Sequence, residues 1–140
     1  MRRVARSWAL AILYAHEYVR ELETLCASVP SLLREGGEPE GVEELALSLV
    51  NGVGEHVSAL DEVIQRSSPR WRVVRMSVID RNIMRLACYE LFHRRDVPPR
   101  VVLNEAIELA KKFGAEQTRS FINGILQQVC SDNAIVLSDG

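Results

Sequence analysis

Cysteine is scarce in this chain of 140 residues, and what there is does not pair: Cys26, Cys88 and Cys130 are odd in number, widely spaced and free of any C-x-x-C arrangement. A disulfide framework and a zinc knuckle are both excluded by that spacing, which suits three buried thiols in a reducing cytoplasm. The three histidines, His16, His56 and His93, have no ligand or triad partner at a recognisable interval and read as surface or helix-end residues, so no metal is expected. Phosphate-binding loops, dinucleotide fingerprints and the G-x-S-x-G elbow are absent, so neither a cofactor nor a catalytic residue is expected. Long apolar runs are missing too. Met1 to Ala15 copies the outline of a signal peptide, but His16, Glu17 and Arg20 interrupt it at once, and the run is too short to cross a bilayer. Nothing alternates with the period of a strand, and no repeat or low-complexity tract occurs.

What remains is a chain rich in helical signals. Apolar residues make up 47% of it, which describes a globular protein, and at this length folding removes about 68 to 70% of the unfolded chain's surface from water. A core needs no staples. The formal net charge is −2, but it is unevenly spread: residues 1–68 hold six arginines against eleven acids, and residues 69–140 hold eleven cations against eight acids. Local basic patches are implied, not a uniformly cationic surface.

Trp8, Ile12, Ala15 and Val19 recur at helical spacing beside a second strip of Leu10, Leu13 and Tyr14, predicting a first helix from about Arg3 to Arg20. Arg2, Arg3 and Arg6 sit at the positive end of its dipole, where cations destabilise slightly. Such a placement is either a solubilising end or an anion-binding edge. Leu22 to Leu33 predicts a short helix interrupted near Pro30, and residues 34–41 a loop. From Val42 the stripe Leu45, Leu49, Val53, Val57 and Leu60 or Ile64 predicts a long helix with a break near His56; Gly52, Gly54 and Gly124 are expected where helices approach closely. Ser67-Ser68-Pro69-Arg70 divides the single domain, 1–140, into halves of about 1–68 and 69–130, with a flexible tail over 131–140. Neither half is large enough to be independent. Met76, Ile79, Ile83, Leu86, Ala87 and Leu91 mark the next helix, and Glu90 falls on the same face, implying a buried carboxylate with a structural partner in preference to a catalytic role. The fold class is all-α, with six or seven helices in two antiparallel three-helix-type clusters.

The second half turns on Phe113-Gly114-Ala115-Glu116-Gln117-Thr118-Arg119-Ser120-Phe121-Ile122-Asn123-Gly124. Val102, Leu103, Ala106, Leu109, Ala110 and Phe113 form one buried helix face that ends with Lys111 and Lys112 in the last turn and Gly114 as a left-handed cap. Thr118 is placed to cap the final helix. Phe121 lies about 100° round from the buried Ile122. It is either a residue flanking the core or an aromatic platform for a base, since such platforms pair a ring with cations. Arg70, Arg72, Arg75, Arg81 and Arg85 form a further basic group.

Arg2-Arg3-x-Ala5-Arg6, Asp80-Arg81-Asn82-Ile83-Met84-Arg85-Leu86-Ala87-Cys88-Tyr89-Glu90-Leu91, the stretch from Pro98 to Gly114 and Phe121-Ile122-Asn123-Gly124-Ile125-Leu126 together resemble the NusB family of bacterial transcription antitermination factors. The resemblance covers nearly the whole chain and is weakest between residues 20 and 65. It implies a seven-helix, non-catalytic cytoplasmic protein that pairs with a small-subunit ribosomal protein, NusE, and holds boxA-type single-stranded RNA of ribosomal-RNA leaders within an RNA polymerase antitermination complex. Arg2, Arg3 and Arg6 would meet phosphates, Thr118, Phe121 and Asn123 would line the RNA-facing corner, and Tyr14 and Asp80 would meet the protein partner. The arginine edge and the Phe121 corner would then face one strand. Gln117 stands where the family often has an acid and Ala11 where it usually has Gln, and the basic arm is short. Three arginines and a terminal amine would give a salt slope of roughly −2 to −3. Two other readings stay open: a homodimeric adaptor of the same fold without RNA binding, and, more weakly, the helical module that fronts ribosomal-RNA cytosine methyltransferases.

Overall fold

The computed structural model describes residues 2–19 and 41–137. Among them are five α-helices and one 3₁₀ turn: α1 (Arg2–Val19), α2 (Val42–Ser67), the turn Val73–Arg75, α3 (Val78–His93), α4 (Pro99–Phe113) and α5 (Thr118–Asp132). The protein is all-α. The helix expected over Leu22 to Leu33 and its following loop lie outside the described residues. No described helix is long and apolar enough to cross a membrane.

The break expected near His56 is absent, because α2 runs unbroken from Val42 to Ser67. Leu49, Val53, Leu60 and Ile64 are all buried, and this continuous stripe outweighs the low helix propensity of Gly52 and Gly54. Gly52 is buried, whereas Gly54 and Gly124 are exposed, and a Cβ added at Gly124 would meet nothing within 4 Å. The close approach expected at Gly124 therefore does not occur.

The chain forms two compact units, Met1–Glu55 and His56–Gly140, whose boundary falls within α2, upstream of the Ser67–Arg70 turn. In the first, Ala5, Ala9, Leu10, Ile12 and Leu13 of α1 and Val42, Ala46, Leu49, Val50 and Val53 of α2 are buried. In the second, α3, α4 and α5 pack on one another. Ile83, Met84 and Leu86 of α3 and Ile122 and Leu126 of α5 are almost wholly enclosed. Each such side chain contributes about 1.5–3 kcal/mol relative to remaining in water.

Side-chain bonds set the helix ends of this second unit. Ser77 caps α3 by accepting the Asp80 N–H at 3.0 Å, and Asp80 itself supplies an acid to the positive end of the dipole. Pro99 opens α4 at a first-turn position, where its missing N–H is no loss. The tail expected from Ser131 begins later: α5 continues to Asp132, whose Oδ2 accepts the Ser67 hydroxyl at 2.8 Å. Beyond it the Ile135 N–H donates to the Cys130 carbonyl, and Arg100 donates to the Leu137 carbonyl. Cys88 and Cys130 are free and buried, and Glu90 is buried as its position on the stripe predicted. Burial pushes both thiols up from their ordinary range, Cys88 far up, with Cys130 and Asp61 adding to the effect there.

The histidines are less solitary than their spacing suggested. His56 of α2 stacks on His93 at the end of α3 with ring centroids 4.1 Å apart, and Tyr89 stacks on His93 at 5.2 Å. Desolvation, then the neighbouring His56, lowers the His93 pKa from the ordinary value. The folded state thus binds its proton less readily than the unfolded chain. The stability this contributes is present above the unfolded value, about 6.5, and is lost as pH falls through the lower folded value. NMR titration of the imidazoles should show the His93 midpoint below 6.5 and moving upward in His56→Gln; an unchanged midpoint in that variant would remove His56 as a cause.

Candidate nucleic-acid interface

The turn between α4 and α5 is fastened by one hydroxyl. Thr118 Oγ1 accepts the Ala115 N–H at 3.0 Å and donates to Asp80 Oδ1 at 3.0 Å, tying the start of α5 to the first turn of α3. Thr118 is therefore the first residue of α5 and not its cap, and it is buried. Gly114 does not adopt the left-handed conformation expected of it. Its φ of −93° and ψ of 173° are open to any residue, but a Cβ there would lie 2.6 Å from Thr118 Cγ2 and 2.8 Å from the Ala110 carbonyl oxygen. Glycine is required at this corner for space.

Across from this corner, residues 68–76 form a second rigid piece. Gln65 reaches out of α2, donating from Nε2 to the Ser68 and Trp71 carbonyls at 3.2 and 3.0 Å and accepting the Val73 N–H at 3.0 Å. Arg81 donates to the Met76 carbonyl at 3.0 Å. The clamp leaves Trp71 held at its backbone while its side chain stands out, 58% exposed. Its indole meets the Phe121 ring edge to face, with centroids 5.8 Å apart and planes at 88°.

Between the two pieces lies a cleft of about 890 Å³ whose lining includes Arg70, Trp71, Arg72, Arg75, Asp80, Phe113, Thr118 and Phe121. Phe113, expected on the buried face of α4, is 40% exposed and opens into this cleft, with Lys112 Nζ 5.3 Å from its ring centroid. The five-arginine group divides. Arg85 binds Asp61 and Arg81 holds the 3₁₀ turn, whereas Arg70, Arg72 and Arg75 are exposed, and no acid among the described residues pairs with them.

The sequence-predicted residues fall into two sets. Asp80, Thr118 and Phe121 are brought together in the second unit; Asp80 and Phe121 are half-buried, and Thr118 has its hydroxyl engaged. Asn123 is half-buried two residues further on, about 200° round α5 from Phe121, and accepts from Gln127 at 3.2 Å. In the first unit Arg2 and Arg3 are exposed and Tyr14 is 39% exposed, but Arg6 is only 4% exposed and does not share the open cationic edge expected of it. Trp71 and Gln65 also contribute to the site, and Phe113 contributes through its exposed ring instead of a buried one. The triplet Arg70-Trp71-Arg72 was the available signal for the first of these, since an indole between two guanidinium groups is an unusual surface pattern.

The family model described as the NusB family matches residues 3–131. Among curated relatives, the transcription antitermination protein NusB of Trichlorobacter lovleyi is 45% identical over 135 residues, covering 92% of this chain and 89% of its own length. That of Desulfitobacterium hafniense is 41% identical over 128 residues, covering 91% and 86%. Among solved structures, T. maritima NusB superposes with a TM-score of 0.81 at 35% identity over 94% of this chain and 92% of its own. A structure of antitermination factors NusB and NusE in complex with dsRNA shares the fold, with a TM-score of 0.81 at 24% identity over 94% of this chain and 96% of its own. On this match across most of its length, the chain belongs to the NusB family, as a non-catalytic transcription antitermination factor and not an enzyme.

Proposed function

We propose that this protein acts in the cytoplasm by binding boxA-type RNA of ribosomal-RNA leaders together with the small-subunit ribosomal protein NusE, within an RNA polymerase antitermination complex. The observation that carries the reading is the half-buried Phe121 ring in the wall of a cleft also lined by exposed arginines, the pairing of ring and cation that suits single-stranded nucleic acid. A solved assembly of NusB, NusE and dsRNA on the same fold is the precedent for the partners. Arg2 and Arg3 at the exposed start of α1 serve as phosphate contacts. Arg6, though only 4% exposed, is the third arginine of that RNA-contacting set. Thr118 shapes the RNA-facing corner through its bond to Asp80, and Asn123 lies at the corner's edge. Tyr14 and Asp80 are assigned to the protein partner.

A gel shift with boxA-type RNA across a salt series, with and without NusE, tests this. NusE should tighten binding, and Arg2→Glu with Arg3→Glu should weaken it several-fold and flatten the salt dependence by about 1.4, at about 0.7 for each phosphate no longer neutralised. Binding equally tight without NusE would count against the paired mechanism. Unchanged RNA binding in the double variant would favour the homodimeric adaptor.

A further inference from the structure

Trp71 and Phe121 form the shared wall of two concavities. On one side is the 890 Å³ cleft; on the other is a shallower hollow of about 320 Å³ bounded by Ser67, Ser68, Gly124 and Gln128. An indole that is more than half exposed yet held at its backbone by Gln65 carries no packing duty in proportion to its size. Rings of this kind on a protein surface mark recognition sites. Gly124 lines the shallower hollow, and a Cβ added there would meet nothing within 4 Å. A helix interior is a poor place for glycine compared with alanine, and the absent side chain leaves the hollow open.

We propose that this aromatic ridge is a subsite for two successive nucleotides of single-stranded RNA, one base on each side of the Trp71–Phe121 wall. Arg70, Arg72 and Arg75 take the phosphates. The inference rests on the RNA-binding reading above and adds to it a place and a set of residues, Trp71, Gly124 and the three arginines. Single-stranded RNA is recognised with its bases splayed and laid against aromatic rings, and a wall with a hollow on either side presents ring surface to two splayed bases. The three guanidinium groups, with no acidic partner among the described residues, supply the charge that a polyanion demands. One carboxylate, Asp80, lines the cleft, and its Oδ1 is already engaged by the Thr118 hydroxyl. An acidic peptide would satisfy the arginines but has no use for two ring-walled hollows.

The test uses the full chain with NusE and a short single-stranded RNA of boxA type. In a Trp8→Phe background Trp71 is the sole tryptophan, so its fluorescence reports the ridge directly. Saturating RNA should quench it. Gly124→Leu projects into the shallower hollow from an exposed position where a Cβ meets nothing within 4 Å, and should weaken RNA binding roughly tenfold, within the range of one lost base–ring stack. Trp71→Ala should do the same and Trp71→Phe should restore much of the loss. Arg70→Gln, Arg72→Gln and Arg75→Gln together should lower the salt slope by about 2. Unquenched Trp71 fluorescence at saturation, or wild-type affinity in Gly124→Leu, overturns the ridge; if Arg2→Glu with Arg3→Glu still weakens binding, the general RNA reading survives that failure. Loss of NusE association with RNA affinity intact would make the ridge a protein-docking surface and likewise overturn the proposal. Absence of RNA binding by the wild-type pair overturns both.

Discussion

Gly114→Ala should destabilise the protein by about 1–3 kcal/mol, the range for forcing extra volume into a packed site, and should lower the thermal midpoint by several degrees. The backbone at Gly114 would accept alanine, so the whole penalty is steric. The added carbon would fall 2.6 and 2.7 Å from Thr118 Cγ2 and Cβ and 2.8 Å from the Ala110 carbonyl oxygen, which is helix backbone and cannot swing aside. Relief requires α5 to move away from the end of α4, and Thr118 cannot follow without straining its bonds to Ala115 and Asp80. RNA affinity should fall with stability, because Phe121 rides on the first turn of α5. Thr118→Ser separates the causes. It keeps the hydroxyl and removes the nearest methyl, so the double variant should recover part of the loss, the clashes with Cβ and with the backbone remaining. A left-handed role for Gly114 would predict instead that Gly114→Asn is tolerated better than Gly114→Ala and that Thr118→Ser rescues nothing; calorimetry on these variants decides.

That corner also shows what a sequence can and cannot reveal. The helices were legible because their apolar residues recur at three and four: Val102, Leu103, Ala106, Leu109 and Ala110 are all buried, as are Ile122, Ile125, Leu126 and Val129. Periodicity does not say where a stripe ends. Phe113 continues the pattern of α4 and yet opens into the cleft, since none of the described elements covers the last turn on that side. Gly114 was legible as a special position but not for its reason, because a helix-ending glycine has two uses and only the contact with Thr118 distinguishes them. The break foreseen at His56 failed in the opposite direction, local glycines yielding to a buried stripe that runs through them. The family, carried by motifs from Arg2 to Leu126, was legible.

The candidate site was legible in its residue types more than in its assembly. Phe121, Thr118 and Asp80 were all singled out, but their meeting depends on a hydrogen bond between residues 38 apart in sequence. Trp71 was visible as a residue and not as a site, since its exposure follows from the Gln65 clamp, three bonds made across a turn. The arginine group looked uniform in sequence. Its division into inward and outward members depends on where Asp61 and the Met76 carbonyl happen to stand.

The inward member of greatest consequence is Arg85, and the two ways of breaking its ion pair should have unequal effects. Its Nε and Nη2 meet Asp61 Oδ1 and Oδ2 at 2.7 and 2.8 Å, a two-pronged pairing that joins α3 to α2, and Nη1 donates to Asn82 Oδ1 at 3.1 Å. The Arg85 side chain is 13% exposed and that of Asp61 31%. A pair this far from water lies between the exposed case, about 0–1 kcal/mol, and the fully buried one, where removing a single partner costs about 3–5 kcal/mol. Asp61→Ala removes the two-pronged charge-assisted pairing from a guanidinium that water scarcely reaches and should cost about 2–3 kcal/mol. Arg85→Met keeps the aliphatic stem packed and leaves a carboxylate that water can reach, so about 1–2 kcal/mol is expected. The double variant, having neither charge, should be no less stable than Asp61→Ala alone, giving a coupling energy well above the surface range. Urea denaturation of the four proteins checks this: equal losses in the single variants, or simple additivity in the double, would mean that the pair is screened like any surface bridge and that α2 is held to α3 by its apolar face alone.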